Sequence, residues 1–502
     1  MGHDARRCVG GRIAAMQGRE RYAILRDFKN ELIMHSNLSL GFSLFWTWVW
    51  LIFQTAFFSA ALPAGSLIFI PAWVVPLFAY ALTFFILGIL LKFKNYTPQG
   101  VWYLRSIPFS MSVGVAVCGG LALSPLTEPV LMTVLVCVGG LVLGAGTACL
   151  HVEWGRMLGH LGPRKTIMHG IVGTFGAAIF LVAITSLPPA ILWVCVFLIP
   201  LASMALLRSE IKKTTHLYRR DRNAKINVPW KFLATAFLQG FTCGIVQAIM
   251  FLGGYSDSLI LVSGCSAVVA AAALLVFALL LKMDFNQLIY QGGFVLMALG
   301  YLLFALIDPA SWGGWFVHSV GFRFVDILMW ALCTYLIKQR GLPTNWVFAW
   351  TTCSLLFGQA CGAVVGNVTL ELQLLSGVGA SSLSIVMVFI LLASSLLMSD
   401  RKNLQTGWGM VRPGDMEALP NNLDMGCKLA CRQYALTARE EEIFTLLAKG
   451  YSRASICEDL TLSKETVKTH IRNIYKKTGI HSQQEIFSLI EEQQRSFGFD
   501  EE

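Results

Sequence analysis

The chain has 502 residues, of which 55% are apolar and only 14% charged, with a mean hydropathy of +0.62. Soluble proteins carry about 25% charged residues, so this composition excludes a single water-soluble globule and places the chain among polytopic membrane proteins. The formal charge of +10 suggests an anionic partner, but its meaning depends on where the basic residues fall.

The first 36 residues set Ile13, Met16, Leu25, Phe28 and Leu32 at near-helical spacing among Arg19, Arg21, Arg26 and Lys29. That pattern predicts a basic amphipathic helix on the inner leaflet, while an over-extended translation start is an equal reading for the first dozen residues. The short charged n-region, apolar h-region and small-residue cleavage site of a removable signal peptide are not seen.

A bilayer core of about 30 Å needs about 20 apolar residues per helix. Twelve such runs follow, at 38–60, 70–91, 107–124, 130–151, 167–187, 190–207, 230–251, 259–281, 287–307, 313–337, 344–366 and 378–398. They predict an all-α polytopic bundle, with six spans in 37–207 and six in 230–399 on either side of a basic loop, 208–229. Lys92, Lys94 and Arg105 follow span 2, Arg156, Arg164 and Lys165 follow span 4, and eight Lys or Arg residues lie between Arg208 and Lys231. Lys282 follows span 8, and Lys338 and Arg340 follow span 10. The alternate loops hold no Lys or Arg, only acids such as Glu128, Asp257, Asp308 and Glu371. This positive-inside pattern predicts a multi-pass membrane protein with both termini cytoplasmic.

The six-plus-six plan resembles the major facilitator superfamily, whose halves are repeats around a midplane site. The stretch Gly155-Arg156-Met157-Leu158-Gly159-His160-Leu161-Gly162-Pro163-Arg164-Lys165 is similar to a degenerate copy of that superfamily's cytoplasmic loop motif. It differs in having Gly159 at the motif's Asp position and in following span 4 rather than span 2. Gly358, Gly362 and Gly366, four residues apart, suit close helix contact.

Ionisable groups at membrane depth are functional candidates by default. Span 10 holds Arg323 and Asp326 at i and i+3 with His318 before them, and Arg323 is the only basic residue this topology leaves inside the bilayer. The spacing allows a pair on one helix face, which either receives a polar or carboxylate-bearing small molecule or holds two helices together. Gln54, Gln239, Gln247 and Gln359 suit interhelical hydrogen bonds better than ligand contact. Trp46, Trp50, Phe53 and Phe57 share a face of span 1 and read as packed or lipid-facing aromatics rather than a cage.

Nine of the thirteen cysteines lie in apolar runs, and Cys8, Cys427, Cys431 and Cys457 lie in polar segments. No disulfide framework is expected. Cys427 and Cys431, at i and i+4 with no His nearby, read as ordinary thiols rather than a metal site. Without a Walker loop, nucleophile elbow, HExxH or paired catalytic carboxylates, neither an enzyme nor a cofactor site is expected.

After Met398 the composition changes, and 400–432 reads as a cytoplasmic linker. Residues 433–495 read as a small four-helix module. Thr437 and Glu440 form a capping-box signature ahead of a helix that ends at Gly450, and a second helix covers 452–460. Ser463 caps a third, running to about Thr478, and Ser482 with Glu485 opens a fourth that reaches about Glu492. The tight turn between the middle pair describes a helix-turn-helix. In the third helix Val467, Ile471 and Ile474 must face the core, leaving Lys464, Lys468, Thr469, Arg472 and Lys476 outward. Such a face suits phosphate contact and major-groove reading, though a merely solvated amphipathic helix has the same pattern.

Residues 436–490 resemble the LuxR/FixJ/NarL family of DNA-binding domains. The resemblance rests on Leu436-Thr437-x-Arg439-Glu440, Leu446-Leu447-Ala448-x-Gly450, Ile456, Leu460, Ser463-x-x-Thr466-Val467-Lys468-x-His470-Ile471-x-Asn473-Ile474-Tyr475-x-Lys477 and Gly479. Arg453, Cys457 and Gln483 stand where the family usually has Asn, Ala and Arg. The resemblance implies that Lys468, Thr469 and Arg472 face base edges, that Lys464, Thr466, His470 and Lys476 approach the backbone of double-stranded DNA, and that the domain dimerises.

Taken together, the expectation is a membrane-bound one-component transcriptional regulator whose transporter-like domain senses an unknown small molecule. The alternative is an active secondary transporter with an autoregulatory DNA-binding tail. From Asp400 onward the chain holds fourteen basic and sixteen acidic residues, so DNA affinity must come from the local face of one helix. The bulk charge reports topology.

Overall fold

In a computed structural model the described residues are 22–53, 74–93, 101–123, 128–213, 230–252, 256–306, 312–340, 342–371, 378–398, 412–413, 422–448, 453, 456–457, 460, 462–481, 485–486 and 489. The expectations for the first dozen residues, most of the 208–229 loop, Gln54, Phe57, Gly450 and Ser482 lie outside them. The chain divides into two compact units, one a helical bundle and the other made up chiefly of residues 415–502 with the short segments 219–226 and 339–343.

The bundle holds α1 (Ser36–Phe53), α2 (Val74–Phe93), α3 (Val101–Leu123), α4 (Pro129–Leu161), α5 (Pro163–Thr185) and α6 (Pro189–Lys213). After the basic loop come α7 (Trp230–Leu252), α8 (Ser256–Leu274, continued as a π-helix over Leu275–Leu280) and α9 (a π-helical start at Gln287–Gly293, then Phe294–Leu306). Then follow α10 (Trp312–Arg340), α11 (Thr344–Glu371) and α12 (Val378–Met398). Ten of the described helices are long and apolar enough to cross a membrane, and α2 and α12 supply two shorter apolar stretches, Val74–Leu90 and Ser382–Met398. No strand occurs among the described residues.

Proline punctuates the chain where helices begin, because its fixed φ suits the first turn and its missing N–H has no helical partner there. Pro129, Pro163 and Pro189 all serve this way. The largest departure from the sequence reading is at α4, expected to end at residue 151 but continuing through Leu161. The chain then reverses at Gly162, whose φ of 95° is a backbone region glycine enters without strain. Most of the loop-like motif therefore belongs to helix. Glu153 and Arg156 are buried there as an ion pair at 2.8 Å, with Arg156 Nε donating to Asn345 Oδ1 at 2.9 Å. Arg323 is thus not the only arginine inside the bundle.

The closest helix approach pairs α7 with α11. A Cβ on Gly362 would lie 2.0 Å from the Phe241 carbonyl oxygen, and one on Gly244 would lie 2.0 Å from that of Gln359. Glycines at four-residue spacing on both helices let the backbones touch, as the α11 spacing predicts.

The helical segment over residues 22–34 is held to the ends of α5 and α6 by charge. Lys165 Nζ lies 3.0 Å from Glu31 and Arg164 lies 2.7 Å from Asp27. His35 and Lys213 reach Glu210 at 3.0 and 2.6 Å. Burial would raise the Glu31 carboxyl, but hydrogen bonds and charge from His169 and Lys165 outweigh it and hold it down at about 2. The basic residues of the amphipathic pattern therefore drew attention to the wrong charges: its acids anchor it.

The C-terminal unit contains α13 (Asn422–Gln433), α14 (Ala438–Ala448) and α15 (Lys464–Thr478). The stretch read as linker thus holds a helix, and Cys427, Ala430 and Cys431 of α13 join Ile443, Phe444 and Leu447 of α14 in one core. Val467, Ile471 and Ile474 of α15 close that core from the other side. The two cysteines are buried apolar residues, consistent with the ordinary-thiol reading.

Candidate functional site

Thr437 and Glu440 form a reciprocal capping box at the start of α14. The Thr437 N–H donates to Glu440 Oε2 at 2.8 Å, and the Glu440 N–H to Thr437 Oγ1 at 3.4 Å. Lys477 of α15 donates to the same carboxylate oxygen at 2.7 Å and to the Ala435 carbonyl at 3.1 Å. Burial would raise the Glu440 carboxyl, yet the Lys477 and Thr437 hydrogen bonds hold it below the usual carboxylate range. This bridge, from a partly exposed lysine to a buried carboxylate, ties α15 to α14. Arg439 adds a second tie by donating to the Leu460 carbonyl at 3.1 Å.

Ser463 caps α15 by accepting from the Thr466 N–H at 3.1 Å, and Gly479 ends it in the left-handed conformation with φ of 76°. The helix so bounded has two sharply different faces. Val467, Ile471, Ile474 and Thr478 are buried, while Lys464, Lys468, Thr469, Arg472 and Lys476 are exposed and Thr466 and His470 half-exposed. The Thr469 hydroxyl donates to the Glu465 carbonyl at 2.9 Å and the side chain stays exposed. Among the described residues, Lys477 is tied to α14 through Glu440 at 2.7 Å, while Lys468 lies 3.8 Å from Glu465 of its own helix. Glu485 accepts from the His481 N–H at 2.9 Å, one residue before the predicted cap Ser482.

In the bundle, α10 carries the sequence-predicted residues but does not pair them. No ion pair joins Arg323 and Asp326 among the described residues. Arg323 is buried, donates from Nη2 to Ser263 Oγ of α8 at 2.7 Å, and lays its guanidinium 3.7 Å over the ring of Trp50 of α1. It borders a small cavity of about 10 Å³ together with His318. Asp326 borders a different cavity of about 50 Å³, with Phe322 forming a wall of both.

Sequence reasoning passed over much of the larger cavity. His151 of α4 stacks on Trp330 at 4.4 Å and hydrogen-bonds the Tyr80 hydroxyl, and both rings line the space beside Asp326. His151 is the last residue of the span predicted at 130–151, where a polar side chain is expected to meet the interface rather than a cavity. Trp46 and Phe53, set aside as packing aromatics, line the same cavity. Gln247 and Gln359 hydrogen-bond each other at 2.6 Å, the interhelical role expected of them.

Residues 434–490 match the family described as bacterial regulatory proteins, luxR family. The HTH-type transcriptional regulator MalT of Serratia proteamaculans (strain 568) is 35% identical over 68 residues, which is 14% of this chain and 8% of that protein. The similarity thus covers less than a tenth of that relative's length. Among solved structures, the Major Facilitator Superfamily transporter FucP in its outward conformation aligns with a TM-score of 0.50 at 14% identity, over 74% of this chain and 98% of its own. A bacterial homologue of the iron transporter ferroportin in its outward-facing state aligns at 0.48 and 14% identity, over 73% and 97%. At this identity the FucP likeness shows the fold alone. The chain therefore joins a multi-pass helical membrane domain of major-facilitator-like fold to a DNA-binding domain of the LuxR family at residues 434–490.

Proposed function

We propose that this protein is a membrane-bound one-component transcriptional regulator: the transporter-like domain senses a small molecule and thereby controls sequence-specific DNA binding by the C-terminal domain. The observation that carries this reading is the two-sided α15, whose cations and hydroxyls project outward from a closed core. On it, Lys468, Thr469 and Arg472 read base edges while Lys464, Thr466, His470 and Lys476 contact phosphates. A dimer of such domains reads half-sites about one helical turn apart. The positive-inside loops favour the bacterial cytoplasmic membrane with both termini inside, which puts the domain in the compartment that holds DNA. DNA-binding is assigned to 433–495, with α13 as an added part of its core.

In the membrane domain Arg323, Asp326 and His318 are the sensing residues, and the ligand acts by favouring one of two arrangements of the helical halves. Duplex DNA selected from a random pool on the purified full-length protein tests the reading. A recovered motif, with affinity that changes when ligand is added, supports it. Absence of duplex binding at low salt overturns it, and Arg323-dependent uptake of the ligand into vesicles moves the assignment to a transporter with an autoregulatory tail.

A further inference from the structure

The smaller cavity has a one-sided chemistry. Its walls come from α7, α8 and α10, and no carboxylate is among the lining residues. Arg323 is 4% exposed and spends only Nη2 on a protein acceptor; Nε and Nη1 have no partner among the described residues. The Trp315 indole N–H and His318 Nε2, both buried on the same lining, are likewise without partners. Gln247, the one side-chain amide of the wall, accepts from Gln359 at 2.6 Å and donates to the Phe53 carbonyl at 3.4 Å, so it offers the cavity no free acceptor. An indole and a guanidinium can only donate, and a buried polar group left unsatisfied is costly. What satisfies this set is an acceptor with negative charge.

The neighbouring cavity is different. It is more than twice as large, lined by Trp46, Phe53, Tyr80, Phe348 and Trp330, and its acidic residue is Asp326. An anion is repelled there and an apolar or aromatic body is accommodated. Phe322 is shared by both walls, so a shift of that one side chain joins and widens the two spaces for one ligand of modest length.

We propose that the cavity at Arg323 receives the carboxylate of an organic acid whose apolar or aromatic body occupies the larger cavity. This deepens the sensing reading and rests on it. The geometry also supplies a route to the rest of the bundle, because Trp50, which the guanidinium covers, belongs to the first six spans and Arg323 to the second six. A carboxylate that engages the in-plane N–H groups of Arg323 therefore binds a side chain that already joins the two halves through its face.

Calorimetric titration of the full-length protein in nanodiscs tests the assignment with acetate, phenylacetate and 3-phenylpropionate as probes, against the matching amides and phenethylamine. The acids bind saturably, the phenyl acids more tightly than acetate, and the amides at least about 10-fold more weakly than their acids. Arg323→Met weakens the acids about 100-fold while leaving the amides unchanged, and Trp315→Phe, which removes one N–H and keeps the ring, weakens them about 5-fold to 10-fold. A thermal melt of each variant establishes that it is folded, and Arg323→Lys retains the preference for acids. Equal binding of acids and amides, preference for the amine, or no acid tighter than about 10 mM overturns the proposal. DNA affinity measured in parallel separates the two ideas. Acid binding that leaves DNA affinity unchanged retains the anion pocket and overturns the sensing reading; a DNA response that the amides elicit equally retains sensing and overturns the pocket.

Discussion

Replacing Glu440 by alanine tests whether the bridge between α14 and α15 sets the stability of the DNA-binding domain. Glu440 is 3% exposed, and its Oε2 accepts from both the Thr437 N–H at 2.8 Å and Lys477 Nζ at 2.7 Å. Loss of the capping interaction costs about 1 kcal/mol. The donors left behind cost about 1–3 kcal/mol more, toward the lower end because Lys477 is 37% exposed and regains water. The sum is about 2–3 kcal/mol. For a domain of this size each kcal/mol moves Tm by about 4–8 °C, so Glu440→Ala lowers Tm by about 10–20 °C. Glu440→Gln keeps an oxygen in place and loses only the charge, for a drop of about 4–8 °C. Circular-dichroism melts of residues 415–502 read both values, with DNA affinity measured in the cold where each variant is folded. The sign with pH is fixed as well. A carboxyl whose folded value lies below its ordinary 4.5 contributes stability at neutral pH and loses it as pH falls through the folded value, so wild type and Glu440→Gln converge in acid. A Glu440→Ala melt within about 3 °C of wild type at neutral pH refutes the reasoning.

Other outcomes follow from the same geometry. Lys464→Ala weakens binding to all duplexes and reduces the salt slope by about 0.9, Arg472→Ala costs about 1–3 kcal/mol at one base position, and Lys477→Met lowers Tm with little change in the slope, all read by anisotropy titrations across salt. A fragment beginning at Leu436 loses the packing of Cys427, Ala430 and Cys431, and is about 2–4 kcal/mol less stable in urea than residues 415–502. Gly362→Leu, whose side chain meets the Phe241 carbonyl, lowers the melting temperature of the detergent-solubilised protein; Gly120→Ala, with open space around it, does not. The Cys431 thiol, pushed up by burial to about 12, resists alkylation in the folded domain and reacts after denaturation, as mass spectrometry will show.

The sequence by itself determined the spans, the alternation of basic loops and the inward and outward faces of α15. Each follows from a local rule, the length of an apolar run or a period of 3.6 residues, and local rules survive folding. Gly358 and Gly362 also announced a close contact, although only the fold shows that Gly240 and Gly244 of α7 are the other side of it. The tertiary structure decided which charges meet. Arg323 and Asp326 share a helix face by spacing, yet Trp50 and Ser263, far away in sequence, draw the guanidinium into one cavity and leave the carboxylate in another. Lys477 reads like any other cation of α15 until Glu440, 37 residues earlier, is seen to hold it. α13 stood hidden in a polar, Pro- and Asn-containing stretch because its apolar residues make sense only against a core built by later helices. A buried donor's partner lies across the fold, and sequence spacing carries no information about such distances.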